Sequence, residues 1–359
     1  MRRVLIVADD LTGACDSAAA FAASGGTVRV LLDGASADAL ADDKADVVVV
    51  TTDSRDLAAD QAAARVSMAI EGLQRSDTSG LLFKKVDSAA RGPFAAEIEA
   101  ALSASGAELA LVTPAFPATG RTVANGVLSV CDWSGQNTEI VLRELFATSS
   151  VSSPGALPIL TEAALHDAIA QAIENGVRIL LCDAVEQADL DRLAAAALRT
   201  EQPILWAGSA GLARALAGQL CAEHSASPQV SARIVRSIGR AVLFTGSPHP
   251  VTALQVAQMP GSIERAIHRV PESGALRESI VSAFTAASPA ALILTGGDTA
   301  AFVLRALGTQ AIRLAGEVAP GIPWGVVEGG LAEGCTVVTK SGGFGERDAL
   351  VRAFEFCES

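Results

Sequence analysis

The 359-residue chain contains no tyrosine, and aromatic residues make up only 4% of it. Base-stacking platforms are therefore not expected, and a net charge of −13 argues against a nucleic-acid surface, which would need a basic patch. Histidine is as scarce: four occur, none in a ligand-spaced pair, so a histidine-based metal centre is not expected. The six cysteines (15, 131, 182, 221, 335 and 357) are scattered and form no C-x-x-C pair. That pattern argues against a zinc site or disulfide framework and for reduced thiols in a cytoplasmic protein. No apolar run approaches the roughly 18 residues of a membrane span. The run at residues 4–8 lacks a small-residue cleavage site and reads as a strand, not a signal peptide. Lysine is the rarest cation, with only Lys44, Lys84, Lys85 and Lys340. An acidic protein that handles anions needs local positive charge, and the last three fall inside the motifs described below.

What is present is apolar and alternating. Half the residues are hydrophobic, enough for packed cores, and the length exceeds that of one usual domain. Short β-branched runs alternate with Ala/Leu-rich amphipathic stretches, the pattern of an α/β protein of two domains, each a mostly parallel sheet covered by helices. Strands are predicted at 4–8, 28–32, 47–51, 81–85, 109–112, 178–182 and 203–207. Helices are predicted at 13–23, 58–73, 93–103, 162–175, 187–198 and 211–221. The segment 222–237 loses periodicity and reads as a linker, dividing the chain into domains 1–221 and 238–359. The second domain has predicted strands at 241–244, 291–294 and 336–339, helices near 251–258, 276–286, 299–306 and 347–356, and a turn-rich β segment at 317–330.

The first strand runs into two adjacent carboxylates, Asp9 and Asp10, and then into Thr-Gly-Ala and a helix. Two acids repel unless a metal, a cation or a solvated hydroxyl shares the spot, although helix capping by either one is also a sufficient reading. Neighbouring side chains on an extended segment point to opposite sides, so only one of the pair is expected to face a reacting group. Arg55 lies just beyond a strand end, Lys84, Lys85, Asp87, Ser88 and Arg91 lie between a strand and a helix, and Arg121 follows another strand. Cations converging at strand ends suit a carboxylate-bearing substrate. In the second half, "AVLFTGSPHPVTALQ", "ALILTGGDTAAFVL" and "TVVTKSGGFGERDALV" share one order: strand, glycines, helix start. Glycines let the backbone approach a phosphate, and free N–H groups at a helix start attract it. Neither a G-x-x-x-x-G-K-[ST] loop nor a strand-borne G-x-G-x-x-G occurs. Ser209 of "WAGSAGLARALA" lacks a base partner and reads as part of a tight packing turn.

Taken in order, "ADDLTGACD", "KKVDSAARG", "PAFPATGRT", "GSAGLA", "TGGDTA" and "KSGGFG" resemble the four-carbon acid-sugar kinases, which include D-threonate, D-erythronate and 3-oxo-tetronate kinases. The resemblance spans residues 4 to about 350. It implies an acid-sugar-binding N-terminal domain, an ATP-binding C-terminal domain and a ligand site in the cleft between them. The activity it implies is ATP-dependent phosphorylation of a terminal hydroxyl, with Mg²⁺ as the cation. Carried over by motif, the substrate group is Asp9 or Asp10 or both, Arg55, Lys85, Val86, Asp87 and Ser88, with Arg91 in the same turn. The nucleotide group is Ser247, Gly296, Gly297, Asp298, Thr299 and Gly342. Arg55 and Lys85 are expected to hold the substrate carboxylate. Asp10 is expected to be the more important acid, with Asp9, Asp87 and Asp298 as rivals for base or metal partner. The metal's own ligands are not legible in the sequence. The turn at 246–249 reads Gly-Ser-Pro-His where the family usually has Gly-Ser-Cys-Ser, which leaves a non-catalytic sugar-acid or nucleotide sensor as the alternative. A small-molecule acid and ATP are the expected partners, with no nucleic acid or membrane, and a homo-oligomer is compatible.

Overall fold

Parallel strands cannot be joined by tight turns, so each apolar strand must be followed by a crossover, and amphipathic helices supply it. The computed structural model describes residues 2–32, 44–76, 79–132, 134–147, 154–222, 234–260, 267–270 and 277–359. Most of the expected linker, residues 223–233, lies outside the described residues. The first half contains β1 (Val4–Ala8), α1 (Leu11–Ala23), β2 (Val28–Leu31), β3 (Val47–Thr51), α2 (Ala59–Ser76), β4 (Leu81–Lys85), α3 (Phe94–Ser105) and β5 (Leu109–Thr113). It continues with β6 (Arg121–Ala124), β7 (Val127–Cys131), β8 (Asn137–Val141), β9 (Gly155–Leu157), α4 (Glu162–Glu174), β10 (Ile179–Cys182), α5 (Gln187–Leu198), β11 (Ile204–Gly208) and α6 (Ala210–Ala222). The second half contains β12 (Ala241–Thr245), α7 (Pro250–Ala257), β13 (Ile267–Arg269), α8 (Arg277–Ala287), β14 (Ala291–Thr295) and α9 (Gly297–Ala306). β15 (Ala311–Ala319), β16 (Ile322–Glu328), β17 (Thr336–Lys340) and α10 (Ala349–Glu358) complete it.

Each half is a mostly parallel sheet, and the two join edge to edge. The hydrogen-bonded order is β13-β12-β14-β17-β16-β15-β2-β3-β1-β4-β11-β5-β10-β9. The join is antiparallel, with Ala311 opposite Leu31 and Leu314 opposite Val28. The turn-rich segment at 317–330 supplies parts of β15 and β16, the antiparallel pair that makes this bridge possible. Helix α1 lies against both halves, and every residue from Leu11 to Phe21 is buried. A helix apolar nearly all round is one enclosed on all sides. Arg214 of α6 pairs with Glu317 of β15 at 3.0 Å, and Arg305 of α9 bonds Asp53 and the Leu32 carbonyl. These contacts tie the halves across the same junction.

One part of the fold was not anticipated from the sequence. β6, β7 and β8 form a separate antiparallel sheet. Its first hairpin turns on Asn125 and Gly126, both with positive φ (53° and 74°), the conformation that favours Asn-Gly in a two-residue hairpin. That dipeptide was a legible signal. The sheet brings Arg121, Val130 and Asp132 to the rim of the main cleft.

Strand order fixes where the site must lie. In the first half β1 sits between β3 and β4, so successive crossovers leave in opposite directions at its C-terminal end. In the second half β12 sits between β13 and β14 in the same manner. Crevices open at such reversals, outside the carboxyl ends of the strands. Asp9 and Asp10 follow β1, and the loops at 246–249 and 296–299 follow β12 and β14.

Adjacent Lys84 and Lys85 on β4 face opposite sides of the sheet, as the pleat requires. Lys84 is wholly buried, 3.0 Å from Glu97 Oε2 of α3, and Glu97 also accepts a hydrogen bond from Ser54. Lys84 is thus a structural brace and not one of the anion-binding cations suspected from its motif. Lys84→Met should destabilise the protein by about 3–5 kcal/mol, because it strands a buried carboxylate. Replacing both partners in Lys84→Met/Glu97→Leu should recover most of that loss. Urea unfolding of the two variants measures the difference.

Candidate active site

The repulsion between Asp9 and Asp10 is answered by Arg55, from the loop after β3. Arg55 Nε donates to Asp9 Oδ2 at 2.7 Å, while Nη1 and Nη2 donate to Asp10 Oδ2 and Oδ1 at 2.9 and 2.8 Å. The guanidinium fork is wide enough to take one carboxylate on its Nε edge and the other on its Nη edge. The alternation expected for neighbouring side chains therefore does not separate the pair: both reach one cation. Asp10 is also the N-cap of α1, with Oδ1 accepting from Gly13 N at 2.8 Å and Oδ2 from Thr12 Oγ1 at 2.7 Å. Capping and ion pairing coexist in one side chain. Asp10's two oxygens each hold two donors, whereas Asp9 Oδ1 is buried without a hydrogen-bond partner.

Asp87 extends the cluster. Arg91 grips it with two bonds of 2.8 Å, and Arg55 Nη2 lies 3.8 Å away. Burial raises the Asp87 and Asp9 pKa values, but neighbouring cations more than offset it, and both carboxyls are held below the ordinary value of 3.8. The opposing groups are Arg91, Arg55 and Lys85 for Asp87, and Arg55, Lys85 and Lys84 for Asp9. Lys85 is buried beside the start of α1, where a Cβ on Gly13 would lie 2.9 Å from Nζ, so glycine is what admits the lysine. Lys85 Nζ donates to the Val86 carbonyl at 2.6 Å, and Val86 N donates to Gly208 O, so Val86 spends its backbone groups internally. Ser88 lies on the cleft wall. Ser209 donates to Ala115 O at 2.5 Å and accepts from Gly211 N, the packing role read from its sequence.

The second-half glycines converge as expected, for a reason that sequence could not supply. A Cβ on Gly342 would sit 2.0 Å from Ser247 Oγ, and one on Gly246 would sit 2.5 Å from Thr299 Oγ1. The three loops need glycine to pack on one another. Gly296, at φ 99°, precedes α9 without a side-chain cap, leaving the first-turn amides open to the cleft. Lys340 donates to the carbonyls of Ser341, Gly342 and Phe344, and burial pushes its pKa down to about 7. It holds the "KSGGFG" loop in shape. Phe344 of that loop packs edge-on against Phe116 and lies beneath Arg121, 5.2 Å from guanidinium carbon to ring centroid.

The two sets of residues line one cleft of about 890 Å³. Asp9, Asp10, Arg55, Asp87, Ser88 and Arg91 of the first half and Ser247, Gly296, Gly297, Asp298, Thr299 and Gly342 of the second meet in its walls. Lys85 lines a smaller recess opening from it. Two residues on these walls were missed from sequence. His249 accepts from Val251 N through Nδ1 at 3.2 Å, which leaves Nε2 as the protonated nitrogen of the neutral ring, beside Gly343. Asp16 is buried in the recess, concealed in the sequence by its place inside a helical stretch. Among the described residues no group of three or more His, Cys, Asp or Glu side chains could hold a metal. A magnesium ion needs fewer, since substrate phosphates supply the rest. Asp298, in the first turn of α9, has no hydrogen bond or ion pair among the described residues. Burial and the nearby acids Asp56, Asp10 and Asp53 raise its pKa, an environment a divalent cation would relieve.

An acidic cluster held by arginines at one strand reversal, beside glycine-lined loops at another, is an arrangement that suits a two-domain small-molecule kinase. Residues 4–216 match the family described as a sugar-binding N-terminal domain, and residues 219–350 match the nucleotide-binding C-terminal domain. The chain belongs to the four-carbon acid-sugar kinase family. It is 36% identical to a D-threonate kinase of Bordetella bronchiseptica, covering 97% of this chain and 96% of that one. It is 33% identical to a D-threonate kinase of Cupriavidus necator, with 98% and 97% covered. A D-erythronate kinase of Heliobacterium modesticaldum is 25% identical, with 99% and 97% covered. A solved Salmonella typhimurium protein described as a putative tRNA synthase shares the fold, with a TM-score of 0.76 at 22% identity over 100% of both chains. A Bordetella bronchiseptica protein solved with bound citrate as a domain-swapped dimer is 33% identical, with a TM-score of 0.50 and 99% and 98% covered.

Arg55→Ala should leave Asp9 and Asp10 repelling each other in a buried site and destabilise the protein by about 3–5 kcal/mol. Arg55→Lys should not restore stability, because a point charge cannot span both carboxylates. Asp9 and Asp87, which both feel the Arg55 charge, titrate below the ordinary 3.8 in the folded state, so their contribution is complete above about pH 4 and lost as acid protonates them. The stability gap between wild type and Arg55→Ala should therefore be largest at neutral pH and shrink below pH 4. Chemical denaturation from pH 3 to 8 reads it.

Proposed function

We propose that this chain is an ATP-dependent kinase that phosphorylates a terminal hydroxyl of a four-carbon sugar acid of the threonate, erythronate or 3-oxo-tetronate type. The observation that carries the reading is the meeting of Gly297 and Asp10: a Cβ on Gly297 would lie 2.5 Å from Asp10 Oδ2. The open helix start that suits a phosphate and the acidic cluster that suits a hydroxyl thus share a wall. Phosphoryl transfer needs little covalent help from a protein, and positioning of this kind supplies most of the catalysis.

The roles follow from which atoms are free. Asp10 is saturated, so its work is to cap α1 and fix Arg55. Asp9 Oδ1 is the open acceptor and would orient the attacking hydroxyl. Its lowered pKa keeps it charged, a hydrogen-bond acceptor that takes the proton late in transfer. This assignment favours Asp9 over Asp10, reversing the preference carried by resemblance. Arg55 is already engaged by two carboxylates, so Lys85, with donors to spare beyond Val86, is better suited to the substrate carboxylate. Arg91 and Arg121 add positive charge at the rim. Amides at the start of α9, with Ser247, Thr299 and the 341–343 backbone, would receive the nucleotide phosphates. Asp298 would hold Mg²⁺ together with those phosphates, and the ion would neutralise charge on the transferring group. The division into an acid-sugar domain at 1–221 and a nucleotide domain at 238–359 belongs to this reading. So does a cytoplasmic location, which the six free cysteines support. A homo-oligomer is supported by the dimer of the Bordetella bronchiseptica relative.

Release of ADP should be detected with at least one acid in a panel of D-threonate, D-erythronate, their L forms and 3-oxo-tetronates. Nucleotide and acid binding without ADP release would favour the sensor alternative. With the preferred acid, Asp9→Asn should lower kcat per folded molecule by about 10²–10⁴. Asp10→Asn keeps a competent cap but removes the charge that Arg55 grips with two bonds, so it should show mainly a loss of stability, with a smaller change in kcat. The opposite ranking of kcat would return the orienting role to Asp10.

A further inference from the structure

Among the described residues two buried carboxylate oxygens lack a hydrogen-bond partner, Asp9 Oδ1 and Asp16 Oδ1. The proposed reaction uses the first and leaves the second unexplained. Burying a carboxylate oxygen without a donor is costly, so a bound group is expected to supply one. Asp16 sits on α1, which is enclosed by both halves of the molecule, and is only 7% exposed. It lines a recess of about 20 Å³ that shares Asp10, Arg55, Asp87 and Ser88 with the main cleft. That volume holds a single water-sized oxygen.

Lys85 lines the same recess. Its ammonium has three donors, and its one hydrogen bond among the described residues goes to the Val86 carbonyl. Lys85 and Asp16 form no ion pair with each other, so a gap separates an unspent donor from an unspent acceptor. A hydroxyl both donates and accepts, and it is the size of the recess. A carboxylate seated inside the recess would be repelled by Asp16, so the substrate carboxylate that Lys85 meets with its other free donor lies at the recess mouth. A methylene in the recess would leave both polar groups unpaired.

We propose that Asp16 and Lys85 form a subsite for one non-reacting hydroxyl of the sugar acid, making Asp16 a specificity-determining residue. This rests on the acid-sugar reading of the cleft and adds to it the requirement that a hydroxyl sit at one defined carbon. Burial pushes the Asp16 carboxyl up to about 7, with Lys85 of β4 and Arg214 of α6 lowering it and Glu317 of β15 and Asp10 raising it. The side chain can therefore accept from a hydroxyl or, once protonated, donate to one.

The test is calorimetric binding of the preferred tetronate and its 2-deoxy and 3-deoxy analogues to the full-length protein, with ATP titrated separately. Wild type should bind one deoxy analogue about ten- to hundredfold more weakly than the parent acid, the range for a hydrogen bond to a charged group. Asp16→Ala should weaken the parent acid by a similar factor, leave that same analogue and ATP unchanged, and be partly rescued by Asp16→Asn, which keeps an acceptor. Equal wild-type affinity for all three acids would overturn the subsite without recourse to any variant. So would an Asp16→Ala protein that binds parent and analogue in the wild-type ratio. If wild type binds no tetronate at all, the acid-sugar reading fails and the subsite fails with it, an outcome distinct from the other two.

Discussion

The site depends on a single guanidinium. Arg55 neutralises Asp9 and Asp10, approaches Asp87 and lets three buried acids share one strand reversal. Without it the turn after β1 would hold adjacent like charges with little solvent to screen them. Because the fork occupies both Asp10 oxygens but only one of Asp9, it also decides which carboxylate remains free to meet a ligand. The same contact that stabilises the fold thus sets which carboxylate oxygen stays unpaired.

Across the cleft the constraint is steric. Loops after β12, β14 and β17 come so close that glycine is required at 246 and 342 for the loops to touch at all. Lys340 gathers three carbonyls of one of these loops, and Phe344 anchors it on Phe116 and Arg121 of the other half. The glycine-lined wall is therefore braced partly by the first half of the chain. Helix α1, buried from Leu11 to Phe21, carries Asp10 at its start and Asp16 about 1.7 turns on, so one rigid element positions both carboxylates.

Much of this was legible because it is local. The alternation of apolar runs placed β1, β3 and β4 with the observed bounds, and strand-to-helix turns located the acids, cations and glycines that line the cleft. Partners distant in sequence were not legible. Nothing in "TTDSRDL" says that Arg55 binds Asp9 and Asp10 more than forty residues earlier, so it read as a clamp for substrate. As scarce lysines in one motif Lys84 and Lys85 were both candidate cations, and the pleat sends one into the α3 interface and the other into the recess beside Asp16. Asp16 was invisible as a site residue because a lone acid in an Ala-rich helix ordinarily faces solvent, and here no face of the helix does. The antiparallel sheet of β6, β7 and β8 was different: its Asn125–Gly126 turn was readable, and the surrounding Pro- and Gly-rich sequence masked it.

The central claim is that Arg55 serves the protein's own carboxylates and leaves Asp9 Oδ1 for the reacting hydroxyl. A crystal structure with a tetronate and a non-hydrolysable ATP analogue tests it directly. The account predicts a substrate hydroxyl within about 3 Å of Asp9 Oδ1, facing the terminal phosphate, with Arg55 still bridging Asp9 and Asp10. An Arg55 swung onto the substrate carboxylate, with Asp9 Oδ1 left without a ligand, would contradict it.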